Sequence, residues 1–132
     1  MCSIKIYKDK NYDFSDCELS FDQNSYIVSI NNKVIGYFRL SIYNLKTVLL
    51  DYELVKKYQK IGIGNYFYGI IEKYIIDNYD FEKIILMIKY DNISSIKIAD
   101  ENSYFIDYNL TEENEMHNSN VYMKTINNSK II

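Results

Sequence analysis

Arginine occurs once in this chain, at Arg39, and that scarcity limits what the protein can hold. Bidentate guanidinium clamps on phosphate are nearly unavailable, so any phosphate would be held by main-chain N–H groups and lysine. The two cysteines, Cys2 and Cys17, have no metal-ligand spacing and read as free thiols of a reducing compartment. No run approaches the roughly 18 apolar residues that a membrane span needs, and no apolar leader follows Met1. No membrane association and a cytoplasmic location are therefore expected. The single histidine, His117, lies in a polar stretch and reads as exposed and idle. Proline and tryptophan are absent while Asn, Ile, Lys and Tyr abound, which reads as coding bias rather than low complexity. A net charge of −3 and a pI near 5.1 give no reason to expect a nucleic-acid partner.

What is present is enough apolar material, 48% of 132 residues, for one domain spanning 1–132 with one core. Ser3 to Lys8 alternates as a short strand, and Asp9 to Asp16 is polar and turn-rich. Tyr26 to Ile30 and Val34 to Tyr43 read as strands joined at Asn31-Asn32, with Val34, Gly36, Phe38, Leu40 and Ile42 on one face. Thr47 to Val55 follows as the next strand. The period then changes: Phe67, Ile70, Ile71, Tyr74 and Ile75 form one apolar helix face within Asn65 to about Tyr79, and Glu72, Lys73 and Asp77 lie away from it. Lys83 to Ile88 is a continuous apolar run, typical of a strand covered on both faces. Asp91-Asn92 offers a cap for a short helix from Ile93 to Asn102. Tyr104 to Leu110 reads as a strand, Thr111 to Asn120 as an acidic loop and Val121 to Ile126 as the last strand. The expected class is mixed α/β, with helices packed on one sheet.

The chemistry concentrates at Tyr58-Gln59-Lys60-Ile61-Gly62-Ile63-Gly64-Asn65, between an expected strand and an expected helix. Glycines there leave the main chain approachable, and a helix start offers unpaired N–H donors and partial positive charge, the requirements for binding a phosphate. The same glycines read equally well as a plain strand-to-helix turn. The dinucleotide fingerprint is incomplete, since Phe67 stands at the third glycine's place, and Asn65-Tyr66 replaces the Lys-Ser/Thr of a P-loop.

Leu54-Val55-Lys56-Lys57-Tyr58-Gln59-Lys60-Ile61-Gly62-Ile63-Gly64 resembles the acetyl-CoA signature of the GCN5-related N-acetyltransferases (GNAT), whose core is Gln/Arg-x-x-Gly-x-Gly/Ala. Asn92-Ile93-Ser94-Ser95-Ile96-Lys97-Ile98-Ala99-Asp100-Glu101-Asn102-Ser103-Tyr104 is similar to that family's Asn-x-x-Ser-x-x-(Val/Ile)-Ala-x-x-x-Gly-Phe helix, closest to the ribosomal-protein and polyamine acetyltransferase branch. The resemblance covers roughly residues 24–126. It implies a mostly antiparallel, twisted sheet whose fourth and fifth strands, Thr47–Val55 and Lys83–Ile88, splay apart around acetyl-CoA. It places the pyrophosphate on N–H groups of Lys60, Ile61, Gly62, Ile63, Gly64 and Asn65, within a loop that includes Gln59. The pantetheine arm would pair with main chain around Leu54, Val55 and Lys56. Asn92, Ser95 and Lys97 would approach the rest of the cofactor. A backbone N–H near Leu54 would polarise the thioester carbonyl. A primary amine, whether small molecule, polyamine or protein, would attack directly, with no metal, and a homodimer is a family habit.

An alkyl amine with a pKa near 10.4 needs a base. Glu53 ranks first and Asp51 second, each equally readable as ordinary strand-surface charge. They share a face if the strand is regular. The missing tyrosine and the shortened front leave a rival reading open, a CoA-binding module with little or no catalysis. Ala99 stands where many members carry a tyrosine acid, and Ser103 replaces the glycine before the aromatic residue. Only Asp9 to Asn24 is available where the family inserts two helices, room for one short helix at most.

Overall fold

In the computed structural model, which describes residues 2–115 and 118–126, the chain opens with β1 (Ile4–Tyr7) and β2 (Tyr26–Ile30). Asn31 and Asn32 take left-handed backbone angles, φ 51° and 68°, as a two-residue hairpin turn of this hand requires. They lead into β3 (Lys33–Asn44) and β4 (Thr47–Leu54). After a 3-10 turn at Lys56–Tyr58 come α1 (Gly64–Asn78), β5 (Lys83–Lys89), α2 (Ile93–Glu101), β6 (Phe105–Ile106), α3 (Tyr108–Glu113) and β7 (Ser119–Thr125). The seven strands form one sheet in the order β1-β2-β3-β4-β5-β7-β6. Every neighbouring pair is antiparallel except β4 and β5. Among the described residues no helix is long and apolar enough to cross a membrane. His117 lies outside the described residues.

The main core lies between the sheet and α1 and α2. Phe67, Tyr68, Ile71 and Ile75 of α1 are buried against Val28, Phe38, Val48, Leu50, Ile84 and Leu86 of the sheet. The helix face expected from the periodicity is therefore present, with Tyr68 added to it. Glu72 does not simply face solvent. It accepts from the Tyr68 hydroxyl at 2.9 Å and pairs with Lys124 of β7 at 2.6 Å, both charged side chains only about a fifth exposed. β5 is buried along most of its length, as a central strand should be.

Several sequence expectations change, among them the acidic loop expected from Thr111 to Asn120, whose two ends belong to α3 and β7. Val34 faces away from Phe38, because a bulge sets Val28 opposite Gly36 but Ser29 opposite Val34. The extra residue, Ile35, takes the core side, and Val34 joins a second cluster around Phe21, Ile27 and Tyr37. The segment from Tyr104 to Leu110 is not one strand. Only Phe105 and Ile106 pair with β7, and Asp107 then caps α3 by accepting the Leu110 N–H at 2.9 Å. β-branched and aromatic residues suggested a strand there, and a local cap outweighed them.

The front segment, residues 8–25, contains no helix. It crosses the sheet face opposite α1 as turns, closed for example by Cys17 N–H to Phe14 O at 3.0 Å. Phe14 packs edge-on and Phe21 tilted against Tyr37, and the Tyr12 hydroxyl meets that of Tyr37 at 2.7 Å.

Candidate active site

β4 and β5 are joined only at their beginnings, through Thr47–Lys83, Val48–Ile84 and Leu49–Ile85. Beyond Leu49 and Ile85 each strand continues on its other partner alone, so the two part within the sheet. The Val55 N–H donates to Ile35 O at 2.8 Å, and antiparallel alternation then turns the main-chain groups of Leu54 and Tyr52 toward β5. On β5, the Ile126 N–H to Glu82 O bond at 2.8 Å sets the same alternation and turns Met87 and Lys89 toward β4. A gap edged by main-chain donors and acceptors results, able to take an extended, amide-bearing chain as an added strand.

The gap opens into a cleft of about 270 Å³. Six residues expected at the site line it: Glu53, Leu54, Gln59, Gly64, Asn92 and Ser95. Asp51 lines an adjoining space of about 80 Å³. Val55, Lys56, Lys60, Ile61, Gly62, Ile63, Asn65 and Lys97 are not in the cleft wall. Lys97 is exposed and lies 3.9 Å from Glu101 one turn on. Val55 packs instead on the front cluster, and the Lys56 carbonyl closes the 3-10 turn by accepting the Gln59 N–H at 3.2 Å. Lys56 therefore does not prolong the edge of β4.

The loop before α1 turns at Gly62 and enters the helix at Gly64. Gly62 sits at φ 79°, and among the described residues beyond its chain neighbours no atom lies within 4 Å of where a Cβ would be. A Cβ on Gly64 would lie 3.1 Å from Ile98 of α2, so the two helices approach at that point. Among the described residues no carbonyl or side chain takes a well-aligned hydrogen bond from the amides of residues 60–66, although the chain makes a loose turn at residues 59–62, whereas the Phe67 N–H bonds Ile63 O at 2.9 Å. These amides lead into the positive end of a 15-residue helix. The Asn65 side chain accepts from Asn102 at 2.6 Å, tying the start of α1 to the end of α2. Asn92 caps α2 by accepting the Ser95 N–H at 3.2 Å. Ser103 ends α2 at φ 69°, the left-handed position that glycine occupies most cheaply.

Glu53 and Asp51 lie on the face of β4 covered by the front segment, and both are engaged. Glu53 accepts from the amides of Leu19 at 2.9 Å and Glu18 at 3.2 Å. Asp51 pairs with Arg39 at 2.9 Å, and Arg39 also donates to the Ser20 carbonyl. The only arginine thus braces the front segment. Replacing Glu53 by Ala should remove two such braces and speed limited proteolysis within residues 9–24 roughly tenfold, with the sheet's urea midpoint little changed. Mass mapping of the first cuts would check this.

Glu18 and Leu19 reach the cleft from the front segment, and Tyr52, Phe67, Ser94 and Ile98 complete it. No local pattern marks Glu18 or Leu19, since a fold crossing brings them there. Tyr52 was legible as the neighbour of Leu54 on the core side of β4. Ala99 is fully buried, and the Tyr104 hydroxyl is occupied by that of Tyr68. The Leu54 carbonyl accepts from the Gln59 side chain at 2.9 Å. Among the described residues no three His, Cys, Asp or Glu side chains converge as metal ligands.

Comparison with known proteins agrees with this geometry. A GNAT-family acetyltransferase of Elizabethkingia anophelis with acetyl-CoA bound superposes with a TM-score of 0.72 at 15% identity, covering 95% of this chain and 98% of that one. The N-acetyltransferase PseH of Campylobacter jejuni gives 0.71 at 14%, covering 94% and 99%. RimL, a ribosomal L7/L12 alpha-N-protein acetyltransferase in complex with coenzyme A, gives 0.64 at 18%, covering 79% of this chain but only 62% of its own. At these identities the likeness carries the fold alone. No curated protein sequence matches the chain. The sequence model described as "Acetyltransferase (GNAT) family" matches residues 3–103, about three quarters of the chain and both motif-bearing helices, and the chain belongs to that family.

Proposed function

We propose that the protein is an acetyl-CoA-dependent N-acetyltransferase that passes an acetyl group to a primary amine by direct attack on the thioester. The observation that carries this reading is the row of open amides at residues 60–66, set at a helix start beside the parting of β4 and β5. With one arginine in the chain, and that one paired to Asp51, such amides, with nearby lysine, are the available means of holding a pyrophosphate. The edge groups of Tyr52 and Leu54 receive the amide-bearing arm as an added strand. Gln59 must leave the Leu54 carbonyl if that carbonyl is to take part, while the Leu54 N–H remains a donor for the thioester oxygen. Glu53 or Asp51, directly or through water, takes the proton of the attacking amine.

Acetyl-CoA at about 100 times its Kd should stabilise the fold by about 2.7 kcal/mol and raise Tm by roughly 8 °C. Thiol release against a panel of small amines, polyamines and N-terminal peptides then tests transfer. No rise in Tm rejects the cofactor reading. Two observations favour a second reading, a CoA-binding module with little catalysis: Ala99 in place of a tyrosine, and both candidate bases already engaged. A full Tm rise without thiol release on any amine would select it.

A further inference from the structure

We propose that the Tyr52 hydroxyl donates a hydrogen bond to the thioester sulfur and to the thiolate that leaves from it. The inference rests on the acetyl-CoA reading above and adds to it the group that serves the leaving side. Tyr52 extends from β4 with its ring edge-on to Phe67 and Tyr68 of α1, at centroid distances of 6.2 and 5.9 Å. Its hydroxyl is sealed from solvent and has no hydrogen-bond partner among the described residues. Ser95 is near enough to offset part of the effect of burial on Tyr52 but outside hydrogen-bonding geometry. A buried hydroxyl left without a partner destabilises the fold, so a protein that keeps one calls for an explanation.

Position supplies the explanation. The cleft and the smaller space beside it share Leu19, Tyr52, Asn92 and Ser95, so Tyr52 stands where the two meet between the strands. Along β4 it lies two residues further from the phosphate-binding loop than Leu54, toward the point of parting at Leu49. A chain anchored by its phosphates at residues 60–66 brings its far end, the thioester, to this place. Tyr52 is the only tyrosine lining either space among the described residues. Tyr104 is occupied by Tyr68, and Tyr108 is exposed.

The step balances without another reactant. The amine nitrogen forms a C–N bond to the carbonyl carbon, the C–S bond breaks, and its electron pair goes to sulfur. The amine proton passes through the base to solvent. Tyr52 keeps its own proton: burial pushes its pKa up to about 12, so it stays neutral and remains a donor over the working pH range.

The test uses Tyr52→Phe, which keeps the ring packing and removes only the orphaned oxygen, so its Tm should be unchanged or higher. The thiol of bound CoA is titrated by thiolate absorbance, with the desulfo-CoA complex as blank. We expect the thiol to be at least about one pH unit more acidic on the wild-type protein than on the variant, tenfold in ionisation. With any amine that the panel accepts, kcat should fall at least about tenfold while acetyl-CoA affinity holds. Equal thiol acidities on the two proteins would overturn the proposal and leave the acetyl-CoA reading intact. If the variant does not fold, the wild-type complex decides against free CoA, and a bound thiol no more acidic than the free one also overturns it. Failure of the wild-type protein to bind acetyl-CoA removes the cofactor reading itself, and this role with it.

Discussion

Gly62→Val should weaken acetyl-CoA binding by about tenfold to a hundredfold while leaving the Tm of the free protein nearly unchanged. Gly62 takes φ 79°, a region that a β-branched side chain enters only under strain. Holding valine there costs of order 1–3 kcal/mol, and each 1.4 kcal/mol is tenfold in affinity. In the free protein the loop can relax, because Gly62 is exposed and, among the described residues beyond its chain neighbours, nothing lies within 4 Å of its Cβ position. If the amides of this loop hold the pyrophosphate as proposed, binding demands the strained geometry again, because successive amides must then turn toward one anion. The cost therefore appears in Kd rather than in stability. Calorimetric titration beside a melting curve separates the two. An unaltered Kd would place the phosphates elsewhere.

Phe67→Ala should destabilise the fold by about 3–5 kcal/mol, read as a fall in the urea midpoint at constant slope. Phe67 is fully buried at the start of α1, where the helix meets the sheet over Gly36. A Cβ on Gly36 would lie 2.5 Å from the Phe67 ring and 2.7 Å from the Glu53 carbonyl oxygen, so the ring sits directly on the strand's main chain. Removing the ring loses its apolar transfer energy and leaves a cavity that the hydrogen-bonded strand beneath cannot collapse to fill. Gly36→Ala should be harmful in the wild-type protein and less so on the Phe67→Ala background, though not harmless, because the Glu53 carbonyl remains in the way. Additive effects would show that the ring does not bear on Gly36. Phe67 also lines the cleft, so its loss should loosen acetyl-CoA as well.

Patterns of short range were legible in the sequence because their physics is short-ranged. Period-two and period-3.6 runs placed β2, β3, β4, β5, α1 and α2 to within two residues of their ends. The Asn31-Asn32 turn, the Asn92 cap and the open glycine loop follow from what those residues do to their own backbone. Mixed α/β class and family membership could be read from these local features, and the family match agrees. The Asp107 cap is equally local, and in the folded chain it overrides the strand-forming residues around it.

Tertiary structure alone decided the rest. The bulge that sends Ile35 rather than Val34 into the core depends on β2 as well as β3, and no single strand specifies a two-strand register. Both candidate bases are visible as carboxylates two apart. Their engagement, Glu53 by amides 34 and 35 positions away and Asp51 by Arg39, depends on how the front segment crosses the sheet. The orphaned hydroxyl of Tyr52 is likewise a property of what α1 and α2 bring around it. Backbone conformation is set by neighbours along the chain, whereas the chemical state of a side chain is set by neighbours in space, and those are fixed only when the sheet and helices close on one another.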